Sequence, residues 1–207
     1  ENIFYYITMT NEFYRMPPLP EGVREGILKG MYRYQASTLD EGEANVNLLG
    51  SGALLNEAIK AQHILETDYG IPADVWSVTS YKELYTDGVE NDRWNMLHPS
   101  EKPKQCYLQQ CFPQKGAVFV AASDYVKALP CSIAKWLPGR LVALGTDGFG
   151  RSDSRTALRR YFEIDAESIV AGALHALADE GKIEKEVPEK AIKEMKIDPG
   201  TRNPFRL

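Results

Sequence analysis

The run Leu144-Gly145-Thr146-Asp147-Gly148-Phe149-Gly150-Arg151-Ser152-Asp153-Ser154 places three glycines within six residues. An apolar stretch, residues 141–144, leads into it, and a helix start carrying Arg155, Arg159 and Arg160 leads out. Glycines at this density permit positive φ and let the backbone come close to another group. In an open α/β sheet, a loop at the carboxyl end of a strand stands where ligands and partners are met. Two readings stay open. Either the loop is a turn whose helix is capped by Ser152 or Asp153, or Asp147, Gly148, Phe149, Gly150, Arg151 and Ser152 form an anion- or partner-facing surface with Arg151 as its charge. Asp147 is a single carboxylate in this loop and makes no acid–base pair.

Other residues of chemical interest carry less. Gly50-Ser51-Gly52 follows an apolar strand, but Leu55 stands where a dinucleotide fingerprint needs its third glycine, and Val78-Thr79-Ser80 ends the next strand without a carboxylate. A tight turn into a helix is the better reading, and Ser51 lacks the G-x-S-x-G elbow of hydrolases. No Gly-Lys-Ser/Thr phosphate loop occurs. His63, His98 and His175 are scattered without metal-ligand spacing, and Cys106 and Cys111 are too far apart for a zinc clip. Trp94 to Pro99 reads as a packed aromatic patch before it reads as a ligand wall.

The elements that must position these residues follow from pattern. Residues 2–10 are aromatic and β-branched and read as a strand, and Met16-Pro17-Pro18-Leu19-Pro20 reads as a linker. Pro20-Glu21 opens a helix with Val23, Ile27, Met31 and Tyr34 at helical spacing. Strand 44–49 is followed by a helix with Leu54, Ala58, Ala61 and Leu65 on one face, closed by Gly70 and Pro72. Strands 74–78, 117–122 and 141–144 follow, with a helix over 125–137, an apolar helix over 166–178 and a short amphipathic one over 189–195. Alternation of this kind predicts a three-layer α/β/α domain on a mostly parallel sheet with right-handed crossovers. Residues 1–20 are expected to be a tail and linker. The domain is placed at 21–207, its sheet opening near residue 44.

At 207 residues, with 43% apolar and 26% charged side chains, the chain has enough material for one sizeable core. The net charge of -5 with no basic stripe disfavours nucleic acid. No apolar run reaches the ~20 residues that span a bilayer, so no membrane partner is expected. Three cysteines without a CxxC suit free thiols in a reducing cytoplasm. A start at Glu1 without methionine reads as a fragment or processed product.

Taken in order, ENIFYYITMTNEFYRMP, LLGSGALLNEA, DVWSVTSYKEL, RWNMLHP and LGTDGFGRSDSR closely resemble the C-terminal part of the bacterial homodimeric pyruvate dehydrogenase E1 family. The Phe149-Gly150 and Ser152 portion also resembles transketolase C-terminal domains. The resemblance implies a longer enzyme that uses thiamine diphosphate and Mg²⁺ to decarboxylate pyruvate and reductively acetylate the lipoyl group of an E2 dihydrolipoyl acetyltransferase. It implies a homodimer in which this part supports assembly and is silent alone. The Gly-Asp-Gly cofactor motif of the family is absent here, so no cofactor-binding, metal or catalytic residue is expected in this part. Residues 1–17 would end the pyrimidine-binding domain, and Arg15 would take the place of a transketolase arginine that touches a sugar phosphate. Pyruvate has no phosphate, which leaves Arg15 as a candidate for the channel mouth. The competing reading is a stand-alone α/β module holding a small anion on the 145–154 loop.

Overall fold

A computed structural model describes residues 2–7, 9, 13–40, 42, 44–114 and 116–206. The elements are α1 (Arg24–Lys29), β1 (Met31–Gln35), β2 (Val46–Ser51), α2 (Leu55–Tyr69), β3 (Ala73–Val78), α3 (Tyr81–Leu97), α4 (Tyr107–Cys111) and β4 (Val118–Ala122). After them come α5 (Ala128–Cys131), β5 (Arg140–Leu144), α6 (Arg155–Tyr161), α7 (Ala166–Asp179) and α8 (Glu186–Glu194). The five strands form one sheet in the order β1-β3-β2-β4-β5; β1 is antiparallel and the other pairs are parallel.

Period-2 alternation splits the strands into two apolar faces. Val46, Leu48, Val75, Val118 and Val120 meet α2 and α7 through Ala58, Leu65, Ile169 and Leu174. Leu49, Trp76, Val78, Phe119 and Ala121 face the opposite layer, where Tyr81, Leu84, Leu108, Ile133 and Trp136 cover them. Both faces are therefore buried, as a parallel sheet requires, and the three-layer α/β/α architecture expected from the sequence is the one formed.

Four local expectations are corrected. Residues 2–7 and 9 form no strand, while positions 8 and 10 lie outside the described residues. A strand needs a ladder partner, and Phe4, Tyr5, Tyr6 and Ile7 instead stand exposed. The first helix ends at Lys29, so Met31 and Tyr34 lie on β1. Gly30, at φ 104°, closes the helix by donating to the carbonyls of Gly26 and Ile27. Its own carbonyl accepts from Thr79 and Ser80, which turns the chain into an edge strand beside β3. The helix expected over 125–137 breaks into α5 and a single 3₁₀ turn, Ala134–Trp136. Tyr125 O, which would accept from Leu129 N in that helix, accepts from Thr146 N instead, and Pro130 has no N–H to give Val126 O. Finally, α8 begins three residues earlier than 189.

Gly88 on α3 is fixed by close approach, for a Cβ there would stand 2.5 Å from Trp136 Cε2. Gly88→Val is expected to lower stability by about 2 kcal/mol through overpacking, read as a lower urea midpoint. An unchanged midpoint would show that the indole gives way freely.

Candidate functional site

Strand order reverses between β2 and β4, because β3 lies outward on one side of that pair and β5 on the other. The carboxyl ends at such a switch point are where open α/β sheets form crevices. Here the edge is built from the Ser51-Gly52 turn, the Ser123-Asp124 turn and the 145–154 loop. The two later turns are knit together. Ser123 N donates to Leu144 O at 3.1 Å, Thr146 N to Tyr125 O at 2.9 Å, and the Thr146 hydroxyl to Asp124 O.

The glycine loop divides into an anchored half and a projecting half. A Cβ at Gly145 would lie 2.4 Å from Tyr125 O, so glycine is required by proximity. Asp147 Oδ1 accepts from Lys127 N at 3.0 Å, which makes this carboxylate a structural latch between the two turns. Gly148 adopts φ 86° and lies against Pro204. Beyond it Phe149, Gly150, Arg151 and Ser152 are exposed, with the Arg151 guanidinium 5.2 Å from the Tyr161 ring. The cap of α6 is Ser154, whose Oγ accepts from Ala157 N at 3.3 Å; neither Ser152 nor Asp153 fills that role. Asp153 accepts instead from Ser154 N at 2.6 Å.

Behind this loop lies a charged cluster that is not among the candidates drawn from the sequence. Glu57, in the first turn of α2, is 4% exposed. Its Oε1 pairs with Arg159 Nη1 at 2.7 Å and Lys60 Nζ at 2.8 Å, and its Oε2 accepts from Ala166 N at 3.2 Å. Burying a carboxylate demands such partners. Arg159 and Arg155 of α6 lie 5.5 and 5.6 Å from the ring of Tyr14, which brings the linker down onto this helix. Arg15, the next residue, is exposed. Asp124 keeps solvent contact, yet the protein crowded around its carboxyl raises its pKa, with the Arg159 and Arg155 charges working the other way. One signal for this cluster was legible: Glu57 sits three residues from Leu54 and eight from Leu65, inside the apolar stripe of α2.

The remaining candidates are placed elsewhere. Trp94 stacks on His98 at 4.4 Å and has Lys104 Nζ 4.0 Å from its ring centre, so the aromatic patch is packing. His63 is exposed and His175 pairs with Asp179. Among the described residues no three His, Cys, Asp or Glu side chains converge on a metal-sized point, and no helix is long and apolar enough to cross a membrane. A cleft of about 510 Å³ opens at the opposite, amino end of the strands, lined by Asn45, Asn47, Asp74 and Trp76.

The profile of a family described as the transketolase-like TK C-terminal domain matches residues 30–165. Relatives similar over nearly all of this chain are named pyruvate dehydrogenase E1 component. That of Pseudomonas aeruginosa is 48% identical over 99% of this chain, that of Escherichia coli K12 46% over 99%, and that of Cupriavidus necator 40% over 100%. The chain spans 23% of the length of each of these relatives. A solved transketolase from Campylobacter jejuni overlays 71% of this chain and 18% of its own, with 18% identity and a TM-score of 0.44. That overlay is too loose for residue correspondences.

Asp147→Ala is expected to free the Lys127 amide and speed its hydrogen exchange, with a loss of about 1 kcal/mol for the missing bond. Unchanged exchange at Lys127 would contradict the latch.

Proposed function

We propose that this chain, which belongs to the transketolase-like C-terminal domain family, is a segment of a pyruvate dehydrogenase E1 component and serves its assembly. The observation that carries the reading is similarity to such enzymes at 40–48% identity over 99–100% of the chain. In this reading the longer protein decarboxylates pyruvate and reductively acetylates the lipoyl group of an E2 acetyltransferase in the cytoplasm, working as a homodimer. Thiamine diphosphate with Mg²⁺ supplies the electron sink for that chemistry.

The residues described here do not fit that cofactor. Holding a magnesium diphosphate takes converging oxygen ligands, whereas the described residues offer no such cluster and Asp147 is committed to Lys127 N. No chemical step is therefore assigned to this chain. Its contribution is a packed three-layer body with two surfaces suited to neighbours. Residues 2–7 and 9 carry exposed aromatic side chains of high β propensity and would complete an adjoining domain's sheet, with residues 1–20 as tail and linker to it. Phe149, Arg151 and Ser152 project from the switch-point edge and would meet a second subunit or E2. Arg15 follows Tyr14 on the linker and is proposed to line the approach to the adjoining domain's site.

A chimaera tests this. Replacing the matching segment of the Escherichia coli relative with this chain is expected to give a dimer that retains thiamine-dependent pyruvate decarboxylation, while the chain alone shows none. A well-folded chimaera that stays monomeric and inactive would count against the assembly role.

A further inference from the structure

Two donors of Arg159, Nε and Nη2, are shielded from water and have no hydrogen-bond partner, and so is the hydroxyl of Tyr14. These orphans are neighbours: the Tyr14 ring centre lies 5.5 Å from the Arg159 guanidinium carbon. Native proteins satisfy nearly every buried polar atom, and charged donors most of all. A cluster of buried donors that no protein acceptor reaches is suited to an acceptor from outside the chain.

The chemistry of that acceptor follows from which atoms are spare. Glu57 occupies Nη1 alone. On a guanidinium, Nε–H and Nη2–H lie side by side along one edge, a fork whose spacing matches two oxygens of one carboxylate or phosphate. The pair with Glu57 fixes the guanidinium plane, so the fork is preorganised and loses little freedom on engagement. Arg155, 5.6 Å from the same ring, adds positive charge. Asp124 is the opposing group near these arginines; crowding favours its neutral form while the two arginines favour its charged one.

We propose that the Nε/Nη2 edge of Arg159 is a binding site for a small oxyanion, a phosphate or carboxylate, seated under Tyr14 with the tyrosine hydroxyl as an additional donor. The site lies on α6 and the linker, not on the 145–154 loop. Tyr14 belongs to a stretch without regular structure, so it acts as the cover: it lifts for entry and is held in place by the bound anion.

The test is calorimetric or NMR titration of the full chain with inorganic phosphate and, separately, with oxalate. Saturable binding to one site is expected for at least one probe, with a shift of the Arg159 Nε–H resonance. Arg159→Lys keeps a cation for Glu57 but has no fork. It is expected to weaken binding roughly tenfold or more, as a two-point charged contact becomes a single one. Tyr14→Phe, which disturbs no buried ion pair, is expected to weaken it severalfold. Absence of saturable binding with both probes overturns the proposal, as does full affinity in Arg159→Lys. A loss in Arg151→Ala with none in Arg159→Lys would place the anion on the glycine loop and overturn it equally. Should Arg159→Lys fail to fold, Tyr14→Phe decides, and unchanged affinity there is a refutation.

Discussion

A single buried carboxylate organises the carboxyl edge of this domain. A buried carboxylate needs partners, and those of Glu57 come from three places: Arg159 on α6, the backbone amide that opens α7, and Lys60 one turn along its own helix. Because α2 and α7 pack on one face of the sheet, this demand fixes how α6 lies across their ends. The next residue, Arg160, works in parallel. It pairs with Asp165, which itself caps α7 by accepting from Ser168 N at 3.0 Å. Adjacent arginines on α6 thus hold the ends of both helices, and the 145–154 loop that precedes α6 inherits its position from them.

That placement separates support from contact. The first half of the glycine loop is tied to the turn after β4 and forms part of the frame. The second half projects with an exposed phenylalanine and arginine, the composition of a surface that meets another molecule. Exposed aromatics at residues 4–6 and the linker tyrosine on α6 extend the same theme at the other end of the chain. The domain is a packed three-layer body that exposes aromatic side chains at residues 4–6 and 149.

Much of this was legible in the sequence, and the failures have physical causes. The βαβ core was readable because strands buried on both faces are continuous apolar runs and because Gly70, in the left-handed conformation, closes α2 as its position implied. Helix α7 is apolar enough to be placed within a residue. Strand β1 was missed because Met31 and Tyr34 fit helical spacing equally well, and only the contact of Gly30 with Ser80 decides against it. Helix α3 announced itself only by Ser80 and Glu83 at capping-box spacing, its polar composition hiding the buried face. The glycine loop is conspicuous in the sequence, but the division of labour within it depends on Lys127 and Tyr125, distant residues that no local pattern connects. Glu57 was the harder case. A charge inside an apolar stripe signals a buried partner without naming it, and Arg159 lies 102 positions away.

The Glu57–Arg159 pair is the tie between α2 and α6. A double-mutant cycle built from Glu57→Gln, Arg159→Met and the double variant, read by urea unfolding, measures that tie directly. With side-chain exposures of 5% for Glu57 and 12% for Arg159 the pair is largely shielded from water, so a coupling energy of about 2 kcal/mol or more is predicted. A coupling below about 0.5 kcal/mol, the level of independent sites, would mean that the helices are placed by apolar packing alone.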